Sequence, residues 1–191
     1  YGGDHSQKKN INQDLYKKFP FLNEKYDFSM SRAKEDMKIH LVIEAYKQST
    51  NRNIVIISNW DSSEYGKNLY SENYNKFTNI FLVNAIYDLD ILNSIRSNAS
   101  LYIHSHSLCG TAPSLVEAMC LGLPIISIDV PQNRFTTENM AFYFEDLNSL
   151  ILLLDSLSEK KLEENSSKMY KIAKMRYSWK QIALKYENCL S

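Results

Sequence analysis

The chain has 191 residues, enough for one domain with a buried core. Its 22 lysine and arginine residues balance its 22 aspartate and glutamate residues, so the composition does not predict nucleic acid as a partner. Three cysteines at unrelated spacings indicate free thiols in a reducing compartment, and no apolar stretch approaches the length of a membrane-spanning helix.

Short apolar runs alternate with helical stretches along most of the chain. Residues 1–19 are polar and rich in lysine, and we interpret them as a linker or interdomain segment outside the core. The apolar runs predict strands at 26–31, 53–58, 79–83, 100–104, 125–128 and 141–144. Helices are predicted between them at 36–48, 65–75, 88–97, 113–121 and 132–139, followed by a helical tail at 146–156, 159–177 and 179–190.

This alternation is typical of an α/β fold in which helical crossovers join parallel strands. We therefore predict a Rossmann-like, doubly wound parallel sheet of about six strands, with helices on both faces and a helical C-terminal tail. The predicted strands are nearly continuous apolar runs, as expected where both faces of a sheet are covered. Ligands bind such sheets at the carboxyl ends of the strands.

Residues 100–124 read S-L-Y-I-H-S-H-S-L-C-G-T-A-P-S-L-V-E-A-M-C-L-G-L-P, a buried strand, a polar turn and a helix. Pro113 opens the helix and Gly122 follows its end. Gly110 and Thr111 leave the amides at the helix start accessible to an anion, where the helix dipole also favours negative charge. Glu117 lies one turn further along the same helix face, where its carboxylate can accept two hydroxyl hydrogen bonds, as a ribose would offer.

This stretch resembles the donor-nucleotide motif of the retaining, family-4 type glycosyltransferases with the two-domain GT-B fold. The pattern H-S-H-S-x-x-G-T-x-P-S-L-V-E-A-M-x-L-G-x-P-I-I resembles a bacterial, rhamnosyltransferase-like branch. The resemblance implies that residues 20–191 form the C-terminal, nucleotide-sugar-binding domain and that the N-terminal acceptor domain is absent from this chain. Because the chain starts at Tyr1 and not at methionine, we expect it to be part of a longer protein.

The resemblance also implies the reaction. A sugar would pass from a UDP- or dTDP-linked donor to a hydroxyl of a glycan or lipid-linked acceptor, with retained anomeric configuration, in bacterial surface polysaccharide synthesis. No cofactor, metal or nucleic acid is implied, and the isolated domain is expected to be inactive. We expect a cytoplasmic protein, with any contact to the inner face of the plasma membrane made by the missing half.

Arg32 and Glu117 are the residues to which the resemblance assigns catalytic roles. Arg32 follows a predicted strand, where its guanidinium can pair with a diphosphate. The alternative for Arg32 is a surface ion pair with Glu35 or Asp36. The family usually has a lysine five residues after this arginine. Here that position is Met37 and Lys38 is next to it, so the chain departs from the family pattern at the second phosphate-binding cation.

The remaining candidates follow strand ends or lie around the motif. His104 and His106 suggest a metal site with Cys109, a Cys109–His nucleophile pair, or histidines hydrogen-bonded to loop carbonyls. The resemblance instead favours a polar wall around the donor sugar or its phosphates. Arg134 follows a later strand and would either contact substrate or brace its loop. The predicted donor-binding residues are Ser31, Lys38, Asn59, His104, Ser105, His106, Cys109, Gly110, Thr111, Ala112, Ser114 and Arg134.

Cys109 is the clearest departure from the family pattern, which has two glutamates separated by seven residues. Glu117 matches the second glutamate, whereas Cys109 occupies the position of the first and cannot accept sugar hydroxyl hydrogen bonds as a carboxylate does. A deoxy sugar donor would explain this difference. The departures at Met37 and Cys109 also leave open a non-catalytic nucleotide-binding module. A sugar-nucleotide epimerase of similar fold is a further alternative.

Overall fold

A computed structural model describes residues 1–48 and 51–190, so residues 49–50 and residue 191, the end of the predicted domain, lie outside the described residues. Within them, six parallel strands form one sheet with the order β3-β2-β1-β4-β5-β6. The strands are β1 Asp27–Met30, β2 Ile54–Ser58, β3 Ile80–Asn84, β4 Tyr102–His104, β5 Ile125–Ile128 and β6 Phe142–Phe144. The predicted fold class is thereby confirmed.

One helix precedes the first strand, and the others connect the strands or follow the last one. They are α1 Gln13–Lys18, α2 Ile39–Gln48, α3 Glu64–Asn73, α4 Leu89–Ser97, α5 Pro113–Cys120, α6 Pro131–Thr136, α7 Leu147–Ser156, α8 Glu159–Arg176 and α9 Trp179–Leu190. Short 3-10 helices occur at Pro20–Asn23, Glu35–Met37 and Trp60–Ser62. Polar side chains cap several helix starts: Asp88, for example, accepts hydrogen bonds from the first-turn amides of α4.

The two faces of the sheet are covered by separate hydrophobic clusters. Along β2, Val55 and Ile57 pack into one cluster, whereas Ile54 and Ile56 pack into the other. All five residues of β2 are buried, which explains why an apolar run rather than an alternating pattern encodes it. Each fully buried side chain of this size stabilises the fold by about 1.5–3 kcal/mol.

Two predicted helices are shorter than their sequence patterns. The prediction at 36–48 is interrupted because Lys38 adopts a left-handed backbone conformation (φ 50°, ψ 34°) between a 3-10 turn and α2. The prediction at 132–139 extends too far, because α6 ends at Thr136 and the left-handed Glu138 and Asn139 follow. Apolar periodicity does not record such turns, whose cause is local backbone geometry.

The N-terminal residues are packed more closely than predicted. The expectation that residues 1–19 lie outside the core is wrong for Leu15, which is 8% exposed and belongs to a hydrophobic cluster. Gly3 is also buried, and its amide donates to the Tyr177 carbonyl at 2.8 Å. The division into an interdomain segment and a domain starting at residue 20 stays a prediction. Among the described helices, none has the length and apolar character needed to cross a bilayer.

The strand order places β1 and β4 side by side at the centre of the sheet. From β1 the chain runs outward through β2 to β3, and from β4 it runs outward on the other side through β5 to β6. The direction of winding therefore reverses between β1 and β4. In doubly wound sheets, the crevice beyond the carboxyl ends of the strands at this reversal is the usual ligand site.

Candidate functional site

A cavity of about 640 Å³ lies at this reversal. Its walls come from the residues that follow β1, from the turn after β4 and from the start of α5. The lining residues are Met30, Ser31, Arg32, Met37, His106, Cys109, Gly110, Thr111, Ala112, Pro113, Ser114 and Glu117. The structure thus brings nine predicted site residues to one cavity, together with Met37, which occupies the position of the family's lysine.

The start of α5 supplies backbone donors to this cavity. Ala112 is the N-cap residue, and Pro113, which has no N–H group, begins the helix. No acceptor within the described part of the chain receives the amides of Gly110 or Thr111. A Cβ added at Gly110 would meet no atom within 4 Å. Accessible amides and the positive end of the helix dipole therefore favour an anion here.

Arg32 places a positive charge on the same cavity. Its side chain is exposed, and its guanidinium makes no hydrogen bond or ion pair with any residue that the structure describes. The alternative prediction, an ion pair with Glu35 or Asp36, is therefore not what the structure contains. A free guanidinium can form a paired hydrogen bond with two oxygens of a phosphate group.

His106 and Cys109 form a polar part of the cavity wall. His106 Nε2 donates to the Met30 carbonyl at 3.3 Å, and His106 Nδ1 lies 3.8 Å from Cys109 Sγ, so the ring can accept from the thiol. The pKa of His106 is lowered to about 4: burial is the largest cause, the hydrogen bond to the Met30 carbonyl opposes it, and the charge of Arg32 adds to the lowering. His106 is therefore neutral at pH 7, and the carbonyl hydrogen bond matches the structural alternative for this residue.

Cys109 itself is a thiol rather than a nucleophilic thiolate. Burial is the largest cause that raises the pKa of Cys109, and Asp36 adds to it. With its pKa lowered to about 4, His106 is too weak a base to hold the proton of such a thiol, so the pair lacks the activation that a cysteine nucleophile requires. Within the described residues, no three His, Cys, Asp or Glu side chains lie close enough together to hold a metal ion.

His104 and Ser105 are buried behind the cavity wall. His104 is 0% exposed, and burial and the neighbouring His106, whose ring centroid is 4.1 Å away, lower its pKa well below the usual value. Ser105 is 1% exposed and donates its hydroxyl to the Met37 carbonyl at 2.5 Å. The structure gives these two residues a packing environment and does not bring them to the cavity surface.

Three other predicted residues also lie outside the cavity lining. The Asn59 side chain accepts from the Ala33 amide at 3.0 Å. Arg134 forms two 2.5 Å hydrogen bonds with Asp129, which lowers the pKa of that carboxyl, and its guanidinium stacks over the Tyr143 ring. Lys38 occupies the left-handed turn before α2. For Arg134 this geometry fits the alternative of bracing the loop.

Glu117 lines the cavity, and its carboxylate binds Arg96, a residue that the sequence analysis did not identify as part of the site. The Arg96 guanidinium donates to Glu117 Oε2 at 2.5 Å, and the two side chains are 4% and 11% exposed. Arg96 also donates to Asn93 Oδ1 at 2.9 Å and to Ser6 Oγ at 2.8 Å. A signal was present in the sequence, because Arg96 is next to Ile95 and one turn after Leu92, on the apolar face of α4.

The other oxygen of Glu117 has partners from the start of the chain. The Tyr1 hydroxyl donates to Glu117 Oε1 at 2.6 Å, and His5 Nε2 lies 3.0 Å from the same oxygen. Burial and the hydrogen bond to the carboxylate both raise the pKa of Tyr1, so the phenol remains a donor. Both oxygens of Glu117 therefore accept hydrogen bonds from protein groups.

Comparison with known families identifies a match over most of the chain. The family model for glycosyl transferases group 1 matches residues 12–183, which include every residue of the cavity lining. No curated protein matches the chain.

Two solved structures illustrate the similarity in fold, each less than 20% identical to this chain. A structure of Anabaena Alr3699/HepE in complex with UDP-glucose has a TM-score of 0.78 at 16% identity, covering 98% of this chain and 54% of that one. Sucrose-phosphate synthase from Thermosynechococcus elongatus has a TM-score of 0.73 at 18% identity, covering 95% and 48%. The chain thus spans about half the length of both proteins.

A third structure has nearly the same extent as this chain. The C-terminal domain of LpcC, a glycosyl transferase group 1 family protein from Francisella tularensis, has a TM-score of 0.69 at 15% identity. The alignment covers 94% of this chain and 99% of that one. At these identities the three structures show a shared fold and carry no information on substrate.

Proposed function

The chain belongs to the glycosyl transferases group 1 family, and we propose that its cavity binds the diphosphate of a nucleotide sugar as the donor half of a retaining, family-4 type glycosyltransferase. One observation carries this proposal: the free Arg32 guanidinium and the unpaired amides of Gly110 and Thr111 line the same cavity. Cationic and N–H donors that converge without protein acceptors suit a multiply charged anion.

The proposed orientation puts the pyrophosphate on the amides and the nucleotide's ribose at Glu117. Glu117 is one helical turn from the amide end of α5 and lines the same cavity. A carboxylate can accept from two vicinal hydroxyls, so a ribose matches it better than a second phosphate, which it would repel. HepE, whose fold this chain shares, was solved in complex with UDP-glucose, so the fold can accommodate this class of ligand.

The sugar would then lie near Cys109 and His106. Cys109 offers a weak donor instead of a carboxylate, and His106, hydrogen-bonded to a carbonyl, stays neutral. A sugar hydroxyl that faced Cys109 would lack a good hydrogen-bond acceptor. A sugar without a hydroxyl at that position avoids this loss. We therefore propose a deoxyhexose donor linked to UDP or dTDP, in agreement with the rhamnosyltransferase-like pattern of the motif.

The chemical role of this half is to stabilise the leaving group. In the proposed transfer, the bond between the anomeric carbon and the diphosphate oxygen breaks, the acceptor oxygen bonds to that carbon from the same face, and the proton of the acceptor hydroxyl passes to the departing diphosphate. Negative charge increases on the departing diphosphate. Arg32 and the α5 amides would hold that charge in fixed positions, which lowers the barrier without a resident metal or cofactor.

The wider role extends the same proposal. The acceptor would be a glycan or lipid-linked hydroxyl in bacterial surface polysaccharide synthesis, bound mainly by an N-terminal domain. The reaction would take place in the cytoplasm or at the inner face of the plasma membrane. Because one half would hold the donor and the other the acceptor, we expect the 191-residue chain alone to bind donor and transfer little sugar.

A non-catalytic nucleotide-binding module is the second candidate, and Met37 favours it. Met37 lines the cavity where the family pattern expects a lysine, and it is 1% exposed. With Arg32 as the single phosphate-binding cation, the site could still bind a nucleotide. It would stabilise a departing diphosphate less than a site with both an arginine and a lysine. Transfer by the longer protein separates the candidates, because a module would bind the donor and transfer nothing.

Thermal unfolding with a panel of nucleotides tests the binding proposal. A ligand that binds the folded state alone raises the melting temperature by an amount that grows with the ratio of its free concentration to its dissociation constant. We expect UDP or dTDP, and a sugar conjugate of one of them, to raise it in the wild type. Arg32→Ala should remove most of the increase, since a hydrogen bond to a charged group contributes about 1.5–3 kcal/mol.

Lys25→Ala is the matched control for Arg32→Ala. Lys25 is an exposed cation that pairs with Glu159 and precedes β1, at the opposite end of that strand from Arg32. It should respond to nucleotides as the wild type does. Equal stabilisation of Arg32→Ala and the wild type, or no response of the wild type to any nucleotide, would contradict the proposal.

A further inference from the structure

Residues 1–6, here called the N-terminal strap, lie directly against α5. A Cβ added at Gly3 would be 2.8 Å from Val116 Cγ1 and 3.0 Å from Cys120 Sγ, so a side chain at this position would require the strap or these α5 side chains to shift. The Gly3 amide donates to the Tyr177 carbonyl at 2.8 Å. The backbone of the strap therefore packs directly against the helix that carries Glu117.

The strap and α4 hold different oxygens of the Glu117 carboxylate. Arg96 donates to Oε2 at 2.5 Å, whereas the Tyr1 hydroxyl at 2.6 Å and His5 Nε2 at 3.0 Å contact Oε1. The Ser6 hydroxyl accepts from the second terminal nitrogen of Arg96 at 2.8 Å. One carboxylate thus joins the strap, α4 and the cavity.

The two sets of contacts differ in burial. The Arg96 side chain is 4% exposed, and breaking its bond would leave a buried charge without a partner. Tyr1 is 37% exposed and the His5 side chain 36%, so water can replace either of them on Oε1. The bond to Oε2 is therefore the fixed one, and the contacts to Oε1 are exchangeable.

We propose that the strap and the nucleotide's ribose compete for Glu117 Oε1, and that Arg96 is a positioning residue that holds the carboxylate in place for both. The inference depends on the proposed function, in which Glu117 receives the ribose. A ribose hydroxyl and the Tyr1 phenol are both neutral O–H donors, so each can satisfy the same oxygen. Nucleotide binding would then release the Tyr1 hydroxyl from Glu117.

Trp179 gives an optical signal for this release. The Tyr1 ring packs edge-on against Trp179 with centroids 5.6 Å apart, and the Trp179 amide donates to Asp4 Oδ1 at 2.9 Å. The other tryptophan, Trp60, is 1% exposed and donates to the Val83 carbonyl. It therefore belongs to a different part of the fold from the strap. We expect saturating UDP to change the emission of the wild type and to leave Trp179→Phe unchanged.

Calorimetric titration of Tyr1→Phe with UDP tests the competition. The variant keeps the ring and removes the hydroxyl that holds Oε1, so UDP should bind about three- to tenfold more tightly than to the wild type. The 2′,3′-dideoxy analogue of UDP has no ribose hydroxyl to donate to Oε1, so its affinity should be the same for both proteins. Tyr186→Phe, which removes the hydroxyl of an exposed tyrosine in α9, should match the wild type.

Arg96→Lys supplies the positioning test. A lysine keeps the positive charge but cannot hold Oε2, Asn93 and Ser6 together, so UDP affinity should fall while the affinity for the dideoxy analogue changes little. If this variant does not fold, Tyr1→Phe decides alone. Unchanged or weaker UDP binding by Tyr1→Phe overturns the competition, whereas a wild type that binds neither UDP nor dTDP overturns the proposed function as well.

Discussion

The Arg96 guanidinium lies 2.5 Å from the Glu117 carboxylate and joins α4 to α5 behind the cavity wall. This ion pair fixes α5, and the residues at the N-terminal end of the same helix line the cavity. The charge of Glu117 is thereby balanced from within the fold, although the residue lines the cavity. Such an arrangement can present a carboxylate to a ligand beside an anion-binding end of the same helix.

The Arg96–Glu117 pair should be strongly coupled in stability. We expect Arg96→Met alone to reduce the free energy of unfolding by about 3–5 kcal/mol, because it leaves the Glu117 carboxylate buried without its partner. The double variant Arg96→Met/Glu117→Met should lose less than the sum of the single variants. Urea unfolding of the four proteins measures this coupling. Additive losses would show that the two side chains act independently.

A negative charge introduced at position 110 should weaken the binding of an anion at the N-terminal end of α5. A Cβ at this position meets no neighbouring atom, so Gly110→Asn and Gly110→Asp should both fold with stability close to the wild type. The two variants have nearly the same shape and differ in one negative charge. Gly110→Asp should bind UDP at least about tenfold more weakly than Gly110→Asn, because the carboxylate repels the diphosphate.

Equal UDP affinity of the two Gly110 variants would place the diphosphate elsewhere. Titration calorimetry at two salt concentrations strengthens the comparison. Screening reduces interactions between exposed charges, so the difference between the variants should decrease as the salt concentration rises. A difference that does not depend on salt would point to shape rather than charge.

Cys109 should determine which sugar the cavity accepts. We expect Cys109→Glu to increase the affinity for hexose donors relative to deoxyhexose donors, since a carboxylate at this position can accept hydroxyl hydrogen bonds. Cys109→Ser is the matched control, because it is similar in size to cysteine and introduces no charge. Competition between UDP-glucose and a dTDP-deoxyhexose measures the preference. A wild type that already prefers the plain hexose would contradict the assignment of a deoxy sugar.

Stability should fall in acid partly because His106 is buried in its neutral form. Its pKa is lowered to about 4 in the folded chain, so between that value and its ordinary value near 6.5 the unfolded chain binds more protons. The contribution of His106 to folding is present above pH 6.5, and about 3 kcal/mol of it is lost as the pH falls to 4. His104, whose pKa burial also lowers, contributes in the same direction.

His106→Gln isolates this effect. A glutamine can still donate to the Met30 carbonyl and does not titrate. We expect its free energy of unfolding to decrease less than that of the wild type between pH 6.5 and 4.5. Parallel pH profiles of the two proteins would mean that His106 is not buried as a neutral ring.

The sheet was predictable because its strands are buried on both faces. Residues such as Ile54 and Ile56 form apolar runs that periodicity detects directly, and parallel pairing follows from the helices between them. The break at Lys38 was not predictable in the same way, because a lysine in the left-handed region leaves no pattern in the sequence.

The cavity lining was largely predictable from one motif, whereas its supports were not. Gly110, Thr111 and Glu117 lie within eight positions of one another, the first two just before α5 and the third one turn into it, so the motif itself predicts that they are close. Arg96 and Tyr1 reach Glu117 from 21 and 116 positions away, so only the folded topology brings them to it. His104 belongs to the motif, yet the pattern could not tell that its ring points into the packed interior.

A crystal structure of the chain soaked with UDP would locate the diphosphate. We expect the pyrophosphate within hydrogen-bond distance of the Gly110 and Thr111 amides and of the Arg32 guanidinium, with the ribose at Glu117. The nucleotide bound at another surface of the sheet, or bound in this cavity with its ribose on the amides and its diphosphate away from Arg32, would contradict this expectation.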